Sequence, residues 1–239
     1  MFPTWGPIHL YGLMTFVSFV ISAYYLYHAF SAIPGVRRRD VLWVLLGGFG
    51  MSEIGGALVP YLYRFFAEGY RESYLDAGRW FHSVFLTIFF YGLAMAKLLR
   101  WPVKKCMDQY MIGAMLMSAV GRIGCFLNGC CGGKPTLLAW GLCFPEAPGV
   151  RVHPTQLYMF AIELGLFFFL RRFQQTQRYD GQTFWTGVWA YSAYRLWIET
   201  LRTNPDVLWG MTAAQLFSAS ALLLSSSMLL YYRARRPAG

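Results

Sequence analysis

Arg122, Asn128, Cys125, Cys130 and Cys131 fall within ten residues at the end of a long apolar run. The whole segment reads Gly121-Arg122-Ile123-Gly124-Cys125-Phe126-Leu127-Asn128-Gly129-Cys130-Cys131-Gly132-Gly133. It places a cation, an amide, three thiols and five glycines where chain facing lipid should hold aliphatic residues. A charge at bilayer depth costs several kcal/mol unless it faces a polar interior. Gly129, Gly132 and Gly133, with Pro135 behind them, end a helix and turn the backbone tightly, so that Arg122 points into a cavity under an irregular loop. Gly121 and Gly124 suit close helix approach, as do Gly47, Gly48, Gly50, Gly55 and Gly56.

Other ionisable groups interrupt the apolar stretches: Glu53, His82, Glu163, Arg195 and Glu199, with Arg202 just beyond. Arg195 and Glu199 are four apart and share one helix face, and Arg202 extends that stripe. Structural ion pairs are one reading of this set. The basic groups outnumber what two glutamates absorb, however, and an anionic ligand supplies the balance. Arginines and glycine-exposed backbone N–H groups suit a phosphate, and in a bilayer the phosphate at hand is a phospholipid headgroup. Transporter, lipid scaffold and lipid enzyme all remain open at this point. His82 titrates near neutrality and is either a base or a hydrogen-bonded structural residue. His153, before Pro154, is a cap, a gate or a reactive group, and Tyr158, one turn inside that helix, binds lipid or joins an aromatic belt.

The thiols also have several readings. Cys125, Cys130 and Cys131, with Cys143 or His153, could supply four metal ligands. The spacing lacks a CxxC pair, and adjacent cysteines are awkward around a tetrahedral ion. A disulfide from Cys143 to Cys130 or Cys131, small-residue packing and a nucleophilic thiol are the alternatives.

The elements that position these groups are membrane helices. The chain of 239 residues is 56% hydrophobic, 19% aromatic and 13% charged, against roughly 25% charged in a soluble domain. Seven apolar stretches run over about 10–30, 40–62, 80–99, 108–128, 155–171, 183–201 and 211–232. The first lacks the basic start and cleavage site of a signal peptide. Basic clusters at Arg37–Arg39, at Lys97, Arg100, Lys104 and Lys105, at Arg171, Arg172 and Arg178, and at Arg233, Arg235 and Arg236 follow every second stretch. The expectation is an all-α polytopic membrane protein with seven transmembrane helices, the N-terminus outside and the C-terminus cytoplasmic. In that frame the unusual residues converge toward the outer leaflet. The net charge of +10 is spread over loop ends, which argues against a nucleic-acid partner. The loops are too short for a separate extracellular domain, so residues 1–239 read as a single membrane domain.

Several of these residues also carry a likeness. Gly6-Pro7-Ile8-His9-Leu10-Tyr11-Gly12-Leu13-Met14, Phe81-His82, Gly121-Arg122-Ile123-Gly124 with Phe126 and Asn128-Gly129, and His153-Pro154-Thr155-Gln156-Leu157-Tyr158 are its first pieces. Asp180-Gly181-Gln182, Tyr194-Arg195 with Glu199 and Arg202, and Thr212-Ala213-Ala214-Gln215-Leu216 with Ser218 complete it. Together they resemble bacterial prolipoprotein diacylglyceryl transferase over nearly the whole chain. The resemblance implies an inner-membrane enzyme that moves diacylglyceryl from phosphatidylglycerol to the lipobox cysteine of a secreted prolipoprotein, releasing glycerol phosphate. It implies no metal and no soluble cofactor. It makes Arg122 and Arg195 the phosphate-binding arginines, His82 the activator of the acceptor thiol and Tyr11 an orienting group. Asn128, His153, Tyr158, Glu199, Arg202, Gly121 and Gly124 would then line or frame the substrate site. Cys125 and Cys130 stand where the family has Asn and Glu, Ser83-Val84 replaces two glycines, Met159 replaces a Glu, and Glu53-Ile54-Gly55 replaces an arginine-glycine element. These departures mark a cysteine-rich branch.

Overall fold

The computed structural model describes residues 4–5, 8–68, 81–144 and 148–235. The chain opens on a small antiparallel hairpin, β1 (Thr4–Trp5) and β2 (Ile8–His9), which runs into α1 (Leu10–Ser31). There follow α2 (Arg38–Glu68), α3 (Phe81–Leu98), α4 (Val103–Asn128), α5 (Thr155–Gln174) and α6 (Gln182–Glu199). A second hairpin, β3 (Asp206–Leu208) and β4 (Met211–Thr212), leads into α7 (Ala213–Ala234).

The architecture is all-α as expected, but the expectation of seven transmembrane helices is corrected. Among the described residues, four helices are long and apolar enough to cross a membrane: Leu10–Ser31, Arg38–Leu58, Val103–Asn128 and Ala213–Ala234. α3 supplies a shorter apolar stretch, Ser83–Leu98. α5 carries Glu163, Arg171 and Arg172, and α6 is 18 residues with Arg195, Glu199 and several hydroxyls. The physical reason lies in how these two helices use their polar groups. They bury Glu163, Thr183, Ser192, Arg195 and Glu199 against protein, and that spends the apolar composition a lipid-facing span needs. The assigned orientation, N-terminus outside and C-terminus cytoplasmic, rested on counting seven alternating spans. Four candidate spans do not support it.

The chain forms two compact units. One comprises Ala23–Tyr110. Its core gathers Phe30, Ile33, Val41, Val44, Ala96, Trp101 and Cys106. There α2 lies close on α3, and a Cβ at Gly56 would stand 2.8 Å from Val84 Cγ2. Tyr110 Oη donates to the Phe85 carbonyl at 2.9 Å, which fastens α4 to α3.

The other unit comprises Met1–Ser22 and Met111–Gly239 and holds most of the unusual polar residues. α1 and α4 meet along a small-residue seam, fixed at one point by Ser22 Oγ donating to the Gly113 carbonyl at 2.8 Å. At Gly124 an added Cβ would lie 2.9 Å from Met14 Cβ, so the two backbones approach as only glycine permits. α5 packs on α6 and α6 on α7. Thr212 caps α7 reciprocally with Gln215: its hydroxyl accepts from the Gln215 N–H, and the Gln215 side chain accepts from the Thr212 N–H.

The two signature glycines of α4 therefore separate in their packing. Gly121 has nothing within 4 Å of an added Cβ, unlike Gly124. Gly124→Val should destabilise the protein by about 1–3 kcal/mol through overpacking. Gly121→Ala should leave stability unchanged or raise it by up to about 1 kcal/mol. Thermal unfolding of the two variants in detergent checks the contrast.

Candidate functional site

α4 ends where Gly129 turns left-handed (φ 74°). Cys131 follows at φ 64°, a conformation uncommon for a residue with a side chain. Three donors from elsewhere hold this turn by its carbonyls. Gln156 Nε2 donates to Cys130 O at 2.5 Å, Thr155 Oγ1 to Cys131 O at 2.8 Å, and Arg202 Nη1 to Cys131 O at 3.3 Å. The first turn of α5 thus reaches back to fix the end of α4. Gly133 then slips between two strands of chain: its N–H donates to His153 O at 2.8 Å, and an added Cβ would stand 2.5 Å from the Leu201 carbonyl.

Two charge clusters sit behind this turn. In the first, Arg122 Nε of α4 lies 3.6 Å from Glu163 Oε2 of α5, and the carboxylate is fully buried. Tyr194 Oη of α6 donates to the other Glu163 oxygen. Tyr191, one turn earlier on α6, lies buried close enough to Arg122, Glu163 and Arg195 to feel the charges of both clusters. In the second, Arg195 Nη1 donates to Glu199 Oε2 at 2.5 Å, and Arg202 Nε lies 3.7 Å from the same oxygen. Asn204 Nδ2 and Thr212 Oγ1 donate to Glu199 Oε1 at 2.5 and 3.0 Å.

α6 is not one of the candidate spans, and the charge state of Glu199 follows from these neighbours. Burial opposes the carboxylate. Hydrogen bonds from Asn204 and Thr212 and the charges of Arg195 and Arg202 outweigh it and hold the group below the usual carboxylate range. At the turn, hydrogen bonds from the Cys125 and Cys130 thiols hold Cys131 well below the usual thiol range against burial, and Arg202 adds to the effect.

The structure brings most of the expected site residues to one region of this unit. Tyr11, in the first turn of α1, packs beside Gly124 of α4, its Cδ2 3.7 Å from where a Cβ would stand. Asn128 closes α4, two residues before Cys130, whose sulfur donates to the Cys125 carbonyl at 3.6 Å. Tyr158 Oη accepts from Trp140 Nε1 at 2.8 Å and stands 3.5 Å from His153 Nδ1. His82 is the second residue of α3, in the other compact unit, and its side chain lies outside the described residues. All five cysteines are free thiols, so the disulfide from Cys143 does not form and Cys143 stays exposed. Sequence reasoning missed Tyr191, Asn204 and Trp140, and it quoted Tyr194 and Gln156 within motifs without giving them a role at the site. The i, i+3 and i, i+4 spacing of Tyr191, Tyr194 and Arg195 around one face of α6 was the available signal for the tyrosines.

The arrangement has an excess of donors. Three arginines face two carboxylates in the clusters among the described residues. Arg195 Nε is buried without a hydrogen-bond partner there, and Arg202 Nε has an ion pair without a hydrogen bond. Buried guanidinium donors left in this state suit an oxyanion, and a phosphate above all.

Residues 2–231 match the family model described as prolipoprotein diacylglyceryl transferase. The chain is 32% identical to a phosphatidylglycerol–prolipoprotein diacylglyceryl transferase of Cupriavidus metallidurans, over 88% of this chain and 83% of that one. It is 28% identical to the protein of that name from Geobacter sulfurreducens, over 95% and 91% of the two chains. The corresponding Clostridioides difficile protein is 29% identical over 77% and 75%. Together with the candidate spans, these likenesses describe a multi-pass bacterial membrane protein.

Glu199 is the group whose loss exposes the cluster. Glu199→Ala leaves Arg195 and Arg202 buried without their counter-charge and should cost about 3–5 kcal/mol. Its folded-state pKa lies below the ordinary 4.5, so the stability it contributes is complete above that pH and is lost as pH falls through the lower folded value. Unfolding of wild type and Glu199→Gln across pH 3–7 checks both: the variant should start less stable and lose less on acidification.

Proposed function

Because the chain belongs to the prolipoprotein diacylglyceryl transferase family, we propose that it moves diacylglyceryl from phosphatidylglycerol to the lipobox cysteine thiol of a secreted prolipoprotein. Glycerol phosphate is the leaving group. The observation that carries this reading is the buried Arg195 Nε, which lacks a hydrogen-bond partner among the described residues beside the Arg195–Glu199 pair. A phosphodiester oxygen would engage the Arg195 Nε, which is buried without a hydrogen-bond partner.

In the proposed reaction the acceptor sulfur attacks C3 of the donor glycerol. The C3–O bond breaks and the phosphate departs with the electron pair. Negative charge builds on the phosphate oxygens as that bond stretches, and Arg122 and Arg195 stabilise it there more than in the ground state. Asn128 adds a hydrogen bond. His82 activates the acceptor thiol and Tyr11 orients donor or acceptor; these two roles rest on the family resemblance. His153 and Tyr158 shape the entrance through their contacts with each other and with Trp140. Arg202 and Glu199 brace the rim, and Gly121 and Gly124 frame Arg122. Residues 1–239 act as one diacylglyceryl-transferase-like domain in the bacterial cytoplasmic membrane. A secreted acceptor calls for a site toward the outer leaflet. The chemistry calls for no soluble cofactor.

The test is incubation of the purified protein with defined phosphatidylglycerol and a lipobox peptide, with products read by mass spectrometry. Glycerol phosphate and a thioether-modified peptide are expected. Donor turnover without peptide modification would assign a different acceptor, and binding without turnover a lipid-binding or transport role. Arg122→Ala should lower transfer by at least about 10²-fold while the protein remains inserted and folded. Full activity in that variant removes the phosphate clamp.

A further inference from the structure

The proposed reaction leaves one feature of the site unused. Cys125, Cys130 and Cys131 bring their Sγ atoms within 4.8 Å of one another, and all three are free thiols. We propose that these sulfurs form a zinc site with three thiolate ligands and a fourth position that receives the acceptor thiol. The fourth position rests on the transferase reading above; the three-sulfur site does not.

The geometry is close to what the ion requires. A tetrahedral zinc with Zn–S bonds of about 2.3 Å sets its sulfurs about 3.8 Å apart. Contraction by about 1 Å at most converts the observed triangle into that face. The sulfurs come from two places, the last turn of α4 and the turn that follows, so the awkwardness of an adjacent pair is relieved by the third ligand. Cys131 accepts a left-handed backbone to take part. The three donors that grip the carbonyls of Cys130 and Cys131 hold the turn so that side chains face one another. Such outer contacts are what orient metal ligands.

Charge and ligand count point the same way. Three thiolates on a divalent ion carry one net negative charge. Arg122, one helical turn before Cys125, and Arg202, against the Cys131 carbonyl, offset it. A disulfide would leave one of the three sulfurs over, whereas a metal ion uses them all. No fourth His, Cys, Asp or Glu joins the group among the described residues. Structural zinc sites are closed by four protein ligands, and sites that do chemistry keep a position open.

An external thiol in that position would lose its proton to water, because zinc deprotonates a coordinated thiol outright; with the ion bound, this takes the place of the activation that the resemblance gives to His82. The bound sulfur keeps a lone pair and attacks C3 of the donor glycerol. As the S–C bond forms, the C3–O bond breaks and the phosphate takes the electron pair. The product thioether is neutral, ligates weakly and leaves. Zinc keeps its oxidation state throughout.

The experiment uses the full-length protein in detergent, purified under reducing conditions. Elemental analysis should find about one zinc per chain, and Co2+ exchanged into the site should give thiolate charge-transfer absorption and tetrahedral d–d bands. Cys125→Ser, Cys130→Ser and Cys131→Ser should each weaken metal binding about tenfold or more, while Cys143→Ser keeps it. Chelation of the wild type followed by Co2+ titration gives the same readout where a variant fails to fold. A metal-free wild type that binds no Co2+, a spectrum that survives loss of all three cysteines, or a disulfide among them overturns the site. A lipobox peptide should shift the cobalt band and its Cys→Ser version should not; an unshifted band overturns the open position. A shifted band without lipid transfer upholds the site and strikes the transferase reading instead.

Discussion

The carboxylate of Glu199 is fully buried; it accepts hydrogen bonds from Arg195 on its own helix, Asn204 beyond the helix end and Thr212 at the start of α7, and pairs with the charge of Arg202. A lone carboxylate there would be prohibitive, because burial of an unpaired charge costs several kcal/mol. The group is tolerated because three hydrogen bonds and a second guanidinium answer its charge. That requirement dictates much else in this unit. It sets where α6 stops, how the 202–212 connection folds back, and how α7 begins, since the Thr212 hydroxyl serves the carboxylate and the Gln215 N–H at once.

Arg202 passes the constraint onward. Its Nε faces Glu199 and its Nη1 reaches the Cys131 carbonyl, so the ion pair and the cysteine turn share one side chain. Thr155 and Gln156 clamp the same turn from α5. The His-Pro-Thr-Gln-Leu-Tyr run thereby does two jobs. Its threonine and glutamine are buried braces, while His153 and Tyr158 stay at the half-buried rim beside Trp140. A site built this way is preorganised: its donors are fixed before any ligand arrives, which is what electrostatic stabilisation of a departing phosphate requires.

The same polar network explains why fewer helices qualify as membrane spans than hydropathy suggested. α5 and α6 bury their charges against each other and against α4 and α7 and are not apolar around their whole circumference. A window of hydropathy cannot tell a charge facing protein from one facing lipid. Seven helices were legible along the chain, but their number as spans was not, and the orientation inferred from that number fell with it.

Sequence alone determined the all-α architecture, the family and the likeness that names Arg122 and Arg195, because composition, glycine placement and motif spacing are local or linear properties. It also determined the Arg195–Glu199 pair, since four residues on a helix are neighbours wherever the helix goes. Only the tertiary structure decided that Arg122 answers Glu163 from another helix, that Gly124 is a contact and Gly121 is not, and that three thiols meet while Cys143 stays apart. Those outcomes depend on which faces of separate helices approach one another. That is set by the summed demand to satisfy every buried charge and fill every contact, and no short window of sequence contains it.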